Sequence, residues 1–335
     1  VSKFAAEVVP VVLEPHPNAD SLSIAHVLGW QCVVRTDSFE NTDRGVYIPL
    51  DAIVPDEWLQ EWGLAVKLAG SQHNRVKTIK LRGEISQGLL IPTHSAFIVG
   101  ADLTEALGLT KYEPPIPTVM NGIAKPWPRG LRHYDIERYE NYPDVFKPDD
   151  WVHVTEKLDG TNFTVDWREG ALTICSRRVA FDPSNPDNAG NLYCKIANKI
   201  EDLGARLATL ATEDFPACSI TVHGEIVGPS IQGNPYALSE QILFVFDVEI
   251  DDHFVGGFGR KRIANRLGLT EVPEVYLGEF RPEVVEAARY GPSLLNPKRL
   301  REGTVWLALD APLHPKIGRP IVKMVDPEYL LKVKD

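Results

Sequence analysis

A lysine amine becomes a covalent nucleophile once it is deprotonated, and a neighbouring cation favours that form. The run Glu156-Lys157-Leu158-Asp159-Gly160-Thr161-Asn162 offers such a lysine, with a carboxylate two residues on that could hold a hydrated metal beside the amine. Gly160 lets backbone approach a nucleotide closely. The Lys157-x-Asp159-Gly160 tetrad is a weak signal by itself; charges farther along give it weight. Arg177 follows the next hairpin. Glu225 lies within His223-Gly224-Glu225-Ile226-Val227-Gly228, Asp247 closes Leu243-Phe244-Val245-Phe246, Glu302 opens the apolar stretch 304–309, and Lys323 sits inside Ile321-Val322-Lys323-Met324-Val325. A charge inside a strand pattern is costly to bury unless it is paired or faces a functional cleft. One such residue is most often a paired structural charge; five of both signs, in order after a nucleophile candidate, point to a site.

The elements that must carry these residues follow from periodicity. Residues 152–154 lead as a strand into the tetrad. Segments 163–167 and 171–175 flank Arg168-Glu169-Gly170 as a hairpin. Leu192, Ile196, Ile200, Leu203, Leu207 and Leu210 recur at helical spacing, which predicts one amphipathic helix over 191–211 packed on a sheet. Further strands are expected at 219–227, 242–250, 304–309 and 320–325. The first 113 residues read differently, as short strands at 8–13, 27–34, 45–54, 76–81 and 89–91 with one helix after Pro55, a pattern that fits a small OB-type barrel. Pro114, Pro115, Pro117, Pro126 and Pro128 mark a linker. The expected organisation is a barrel domain at 1–117, a proline-rich linker at 118–130 and a second domain at 131–335.

At 335 residues, 44% hydrophobic and 24% charged, the chain is large enough for two soluble domains, each with its own core. It contains no apolar stretch near twenty residues, so a membrane span is not expected. The first residues lack the apolar core of a secretory signal, and Cys32, Cys175, Cys194 and Cys218 are too widely spaced for a Cys-x-x-Cys pair; free thiols in a reducing cytoplasm are expected. The nine histidines show no zinc-ligand spacing. A net charge of −11 argues against general nucleic-acid binding, yet no acidic residue falls between Glu61 and Glu84, where Lys67, Arg75, Lys77, Lys80 and Arg82 cluster. Two further basic clusters are Arg260, Lys261, Arg262, Arg266 and Lys298, Arg299, Arg301. Each could equally be a solvated face.

The ordered set resembles the covalent nucleotidyltransferase superfamily of polynucleotide ligases and mRNA capping enzymes. The tetrad run is similar to its first motif, Ser176-Arg177 to the short motif after the hairpin, and His223-Gly224-Glu225, Phe246-Asp247, Glu302-Gly303 and Lys323 to the later ones. Asn162 and the run ending Gly228-Pro229 look more like RNA ligases than DNA ligases. The segments His16-Pro17-Asn18-Ala19-Asp20-Ser21-Leu22 and Lys80-Leu81-Arg82-Gly83-Glu84 resemble the OB module of tRNA-binding proteins. An N-terminal OB module before a ligase domain is similar to the nick-sealing RNA ligases of the Deinococcus and Naegleria type. The chain ends soon after Lys323, so no C-terminal OB domain is expected. One departure is Val325, where the superfamily often carries a second lysine; either Lys323 alone serves the phosphate or another cation such as Lys316 or Arg319 helps.

The resemblance implies an α+β protein: an OB-type β-barrel followed by a mixed α/β nucleotidyltransferase domain built on antiparallel sheets. It implies ATP as AMP donor, Mg²⁺ or Mn²⁺, and a nicked duplex with an RNA 3′-OH end as partner, joined by a monomer. Lys157 would carry the AMP. Asp159, Glu225 and Glu302 would surround the metal, one of them binding instead the ribose hydroxyls. Arg177 and Lys323 would neutralise phosphate, and Glu156, Asn162 and Phe246 would complete the nucleotide pocket, Phe246 by stacking on adenine. A DNA ligase or capping-type enzyme would share this chemistry, and a non-catalytic RNA-binding protein is the alternative from another class.

Overall fold

The computed structural model describes residues 4–93, 97–113 and 120–332. Pro114, Pro115 and Pro117, and with them the expected boundary at 117, lie outside the described residues. The chain divides into two units: one gathers residues up to 113 with 137–145 and 325–332, the other 120–136 with 146–324.

The first unit is built from short antiparallel ladders. Glu7–Pro10, Arg44–Ile48 and Leu89–Pro92 form one sheet, Leu13–Pro15, Leu22–Val27 and Trp30–Arg35 a second, and Ile79–Leu81 pairs with Glu84–Ser86. Val9, Ala25, Trp30, Cys32, Tyr47 and Leu90 fill the interior between them. The strand expected at 27–34 is instead a hairpin. Leu28 and Gly29 both take positive φ, 50° and 78°, and turn the chain back through a two-residue loop. The strand expected at 45–54 is likewise broken, with Asp51 at φ 66° between Arg44–Ile48 and Ala52–Ile53. Two sequence motifs meet here: His16 Nε2 lies 3.1 Å from the Leu81 carbonyl oxygen, and Asn18 donates to that of Arg82 at 3.0 Å. Their polar groups staple the 79–86 hairpin to the barrel, a structural reason for both runs.

The second unit holds two sheets. In the larger, Thr161–Arg168 lies between Ala171–Cys175 and Ser219–Val227, and Ile242–Ile250 follows; these pairings are antiparallel, and Thr270–Glu271 adds a parallel one. In the smaller, Ile321–Val325, Gly303–Ala308, Trp151–Lys157 and Glu274–Glu279 lie side by side in that order. Strand alternation sorts the larger sheet. Phe163, Val165, Ile220, Val222 and Ile226 join the apolar core with Leu192, Ile196, Leu207 and Ile263 of the helices. Each fully buried side chain of this size contributes roughly 1.5–3 kcal/mol. The intervening residues Asn162, Thr164, Asp166, Thr221, His223 and Glu225 fall on the other face. The single helix expected at 191–211 is two, Leu192–Lys199 and Leu203–Thr209, because Asp202 adopts a left-handed conformation at φ 51°. The apolar spacing continues across that break, so periodicity conceals it.

Candidate active site

The tetrad is the crossover between the two sheets. Lys157 ends the strand Trp151–Lys157, with Gly303 as its cross-strand partner, and Thr161 begins Thr161–Arg168, which brings Asn162 opposite Glu225. Gly160 is required where the chain passes between them. A Cβ there would lie 2.8 Å from both Glu225 Cγ and Val227 Cγ1, and closer still to the Ile226 carbonyl oxygen. The glycine therefore sets how near the lysine turn comes to the Glu225 strand.

Lys157 Nζ donates to Glu302 Oε2 at 2.7 Å, with the lysine side chain 26% and the glutamate 14% exposed. Burial works to lower the lysine pKa, but the charges of Glu302, Glu225 and Asp159 outweigh it and hold the amine above its ordinary value. Burial also pushes the Glu225 carboxyl up to about 8, against the pull of Lys157. Four of the expected site residues are thus brought into one electrostatic cluster. As it stands, that cluster favours the ammonium, so reaction needs a compensating cation. Among the described residues, no group of three or more His, Cys, Asp or Glu side chains is set to hold a metal directly. The donor set suits a hydrated divalent ion contacted through its waters, in keeping with the reluctance of Mg²⁺ to dehydrate.

Arg177 and Lys323 meet at a residue that the sequence reading passed over. Asp135 Oδ1 lies 3.4 Å from Arg177 Nη2 and 3.5 Å from Lys323 Nζ. Glu156 is buried and accepts the Leu294 amide at 2.7 Å, while burial raises its pKa. Its other oxygen has no hydrogen-bond partner. Phe246 is half-buried, 5.0 Å from the Tyr134 ring and packed against the apolar cluster of Leu158, Val227, Tyr236 and Phe244. Tyr236, also unforeseen, is buried with its phenol oxygen accepting the Asp159 amide at 2.5 Å. Of the candidates for the missing second lysine, Arg319 is committed to buried Asp247, which Tyr134 also bonds at 2.8 Å. Val325 itself is buried.

The basic clusters resolve largely into internal pairs. Arg75 bridges to Asp51 at 2.8 Å and lies over the Tyr112 ring, and Lys80 meets Glu328 at 2.8 Å. Arg260 pairs with Glu271 at 2.5 Å, and Arg262 and Arg266 share Asp214.

A family model described as RNA ligase matches residues 150–325, and one described as an OB-fold domain matches residues 7–93. Solved structures of Naegleria gruberi RNA ligase are similar over nearly the whole chain. The form with PPi is 28% identical with a TM-score of 0.81, covering 98% of each chain. A lysine-to-alanine variant with ATP and Mn gives the same values. An apo variant reaches 29% identity and a TM-score of 0.82, covering 99% of each chain. No curated protein sequence matches. No helix among the described residues is long and apolar enough to cross a membrane. Since the RNA ligase model spans more than half of the sequence and includes the whole crossover on which Lys157 sits, the chain belongs to the RNA ligase family.

Proposed function

We propose that the protein is an ATP-dependent ligase that works through a lysyl-AMP on Lys157 and seals 3′-OH/5′-phosphate nicks whose 3′ strand is RNA. The observation that carries the reading is the crossover lysine, bonded to Glu302 at 2.7 Å and flanked by Glu225 and Asp159. The ATP, AMP and Mn named for the Naegleria structures support the choice of nucleotide and metal. In the first step the Lys157 lone pair attacks the α-phosphorus. The bond to the pyrophosphate oxygen breaks, and the nitrogen loses its proton. Mg²⁺ or Mn²⁺, held through water by Asp159, Glu225 and Glu302, would supply the positive charge that stabilises the neutral amine and the developing phosphate charge. Arg177 and Lys323 bind phosphate oxygens, Phe246 offers a face to the base, and Asn162 and Glu156 line the pocket. In the second step an oxygen of the 5′-phosphate displaces the lysine nitrogen from AMP, and the lysine regains a proton. In the third, the RNA 3′-hydroxyl attacks that 5′-phosphate and AMP leaves.

The barrel at 1–117 is taken as a separate domain joined through 118–130 to the ligase domain at 131–335, and its role as binding the duplex or orienting pyrophosphate. The protein is taken to act as a monomer in a reducing cytoplasm, a compartment that the four free cysteines, three of them buried, support. Incubation with α-labelled ATP and Mg²⁺ should leave label on the protein, and nicks with an RNA 3′-end should seal faster than nicks with a DNA 3′-end. Labelling with equal sealing of both would favour a DNA ligase, and no labelling would leave a non-catalytic RNA-binding protein.

A further inference from the structure

We infer that Asp135 is a positioning residue for this reaction, a carboxylate that holds Arg177 and Lys323 toward the nucleotide site and yields them to phosphate. The inference rests on the ligase reading above. Two cations held near one another repel. A single oxygen, Asp135 Oδ1, lies between them at 3.4 and 3.5 Å. Those separations exceed the 2.7–2.9 Å typical of a charge-assisted hydrogen bond. At that distance the carboxylate offsets the charge of both groups and gives way to a phosphate that carries more charge.

The segment bearing Asp135 is fastened on both sides. Arg132 donates to the Asp252 carbonyl oxygen at 2.6 Å, and its guanidinium lies 3.3 Å from Glu249. The His133 ring packs 4.1 Å from Trp127, with its Nδ1 3.2 Å from the Arg177 carbonyl oxygen. Tyr134 donates to Asp247 at 2.8 Å and packs 4.7 Å from His223. The Ile136 amide donates to Asp135 Oδ1 at 3.0 Å, which aims the carboxylate. Residues 132–134 thus strap the segment across the polar face of the larger sheet, and Asp135 is its working end: side-chain exposure is 15%, against 57% for Arg177 and 19% for Lys323. A mobile surface aspartate would have no such anchoring.

Single-turnover labelling of Lys157 in the full chain, with α-labelled ATP and Mg²⁺ across a range of ATP concentrations, tests the assignment. Asp135→Asn should lower the maximal rate about tenfold, the loss of one charge-assisted contact, while inorganic pyrophosphate inhibits at several-fold lower concentration because a competing anion is gone. Asp135→Glu restores the charge and should recover the rate to within about threefold of wild type. If Asp135 acts through these cations, the loss in Asp135→Asn combined with Arg177→Ala should fall short of the product of the two single losses, what remains being its hold on Lys323. Wild-type rate and pyrophosphate sensitivity in Asp135→Asn would overturn the proposal. So would losses that multiply in the double variant, or an Asp135→Glu protein that folds but labels as slowly as Asp135→Asn. Failure of the underlying ligase reading looks different: Lys157→Ala would then label like wild type, whatever residue stands at 135.

Discussion

Replacing Gly160 by alanine should separate the lysine turn from the Glu225 strand. The added Cβ would lie 2.8 Å from Glu225 Cγ and Val227 Cγ1, about 0.7 Å inside the ~3.5 Å at which carbon atoms pack without repulsion. The side chains could rotate, but the Ile226 carbonyl, nearer still, belongs to a strand paired on both sides with Thr161–Arg168 and Ile242–Ile250. The turn must therefore move rather than the sheet. Overpacking of this kind costs about 1–3 kcal/mol, which at about 2–4 °C per kcal/mol lowers Tm by several degrees. The larger effect is geometric. A misplacement of ~1 Å at reacting groups costs on the order of 100-fold, so a shift near 0.7 Å should slow adenylylation of Lys157 by roughly 10- to 100-fold. The assay is single-turnover transfer of label from α-labelled ATP, with thermal unfolding measured on the same preparation. A Gly160→Ala protein that labels within about threefold of wild type would refute the claim that this glycine sets the spacing of lysine and carboxylate.

Lys157→Ala should lose both acid-stable labelling and nick sealing, and full labelling would place the nucleophile elsewhere. Tyr236→Phe removes the oxygen that accepts the Asp159 amide; an amide left unpaired costs about 1–3 kcal/mol, so Tm should fall and labelling should slow about tenfold. Unchanged labelling would show that the 228–241 loop only packs. Because the Glu225 carboxyl is pushed up to about 8, it keeps its proton at pH 7 in the metal-free protein, whereas a bound cation favours the ionised form. Mg²⁺ binding at pH 7 should therefore release a proton, read by calorimetry in buffers of different ionisation heat, and Glu225→Gln should abolish the release. Buffer-independent heats in the wild type would count against Glu225 facing the metal.

The strands 219–227 and 242–250 and the Glu169-Gly170 turn are legible in sequence because local rules decide them. Nine-residue apolar alternations bounded by turn residues leave few other choices, and both turn residues take the positive φ that a two-residue hairpin loop demands. The helix break at Asp202 and the hairpin at Leu28 are not legible, because each overrides a continuous apolar pattern through left-handed backbone, at Asp202 in the one and at Leu28 and Gly29 in the other. The meeting of Lys157 with Glu302, 145 positions away, follows from an ordered motif, while its register against Gly303 does not. Asp135 and Tyr236 escape for a further reason. Their chemistry lies in what they touch, a pair of distant cations and a backbone amide, and no spacing along the chain encodes either contact.

On the proposed function, charge distribution would tie these residues to one reaction. At the crossover a single ammonium faces three carboxyl groups, one of them kept protonated up to about pH 8 by burial. That arrangement is short of positive charge, so it draws a cation. At Asp135 the balance is reversed, with one carboxylate facing a guanidinium and an ammonium. On the proposed function, those two cations would take phosphate. A metal–nucleotide complex carries both complements in one ligand, and opposite deficits at two places fix its orientation as well as its affinity. Val325 stands where the resemblance leads one to expect a second lysine. The residue present is buried and apolar, and Arg319 is paired with Asp247. Removal of the Asp135 carboxylate should therefore be felt at both Arg177 and Lys323.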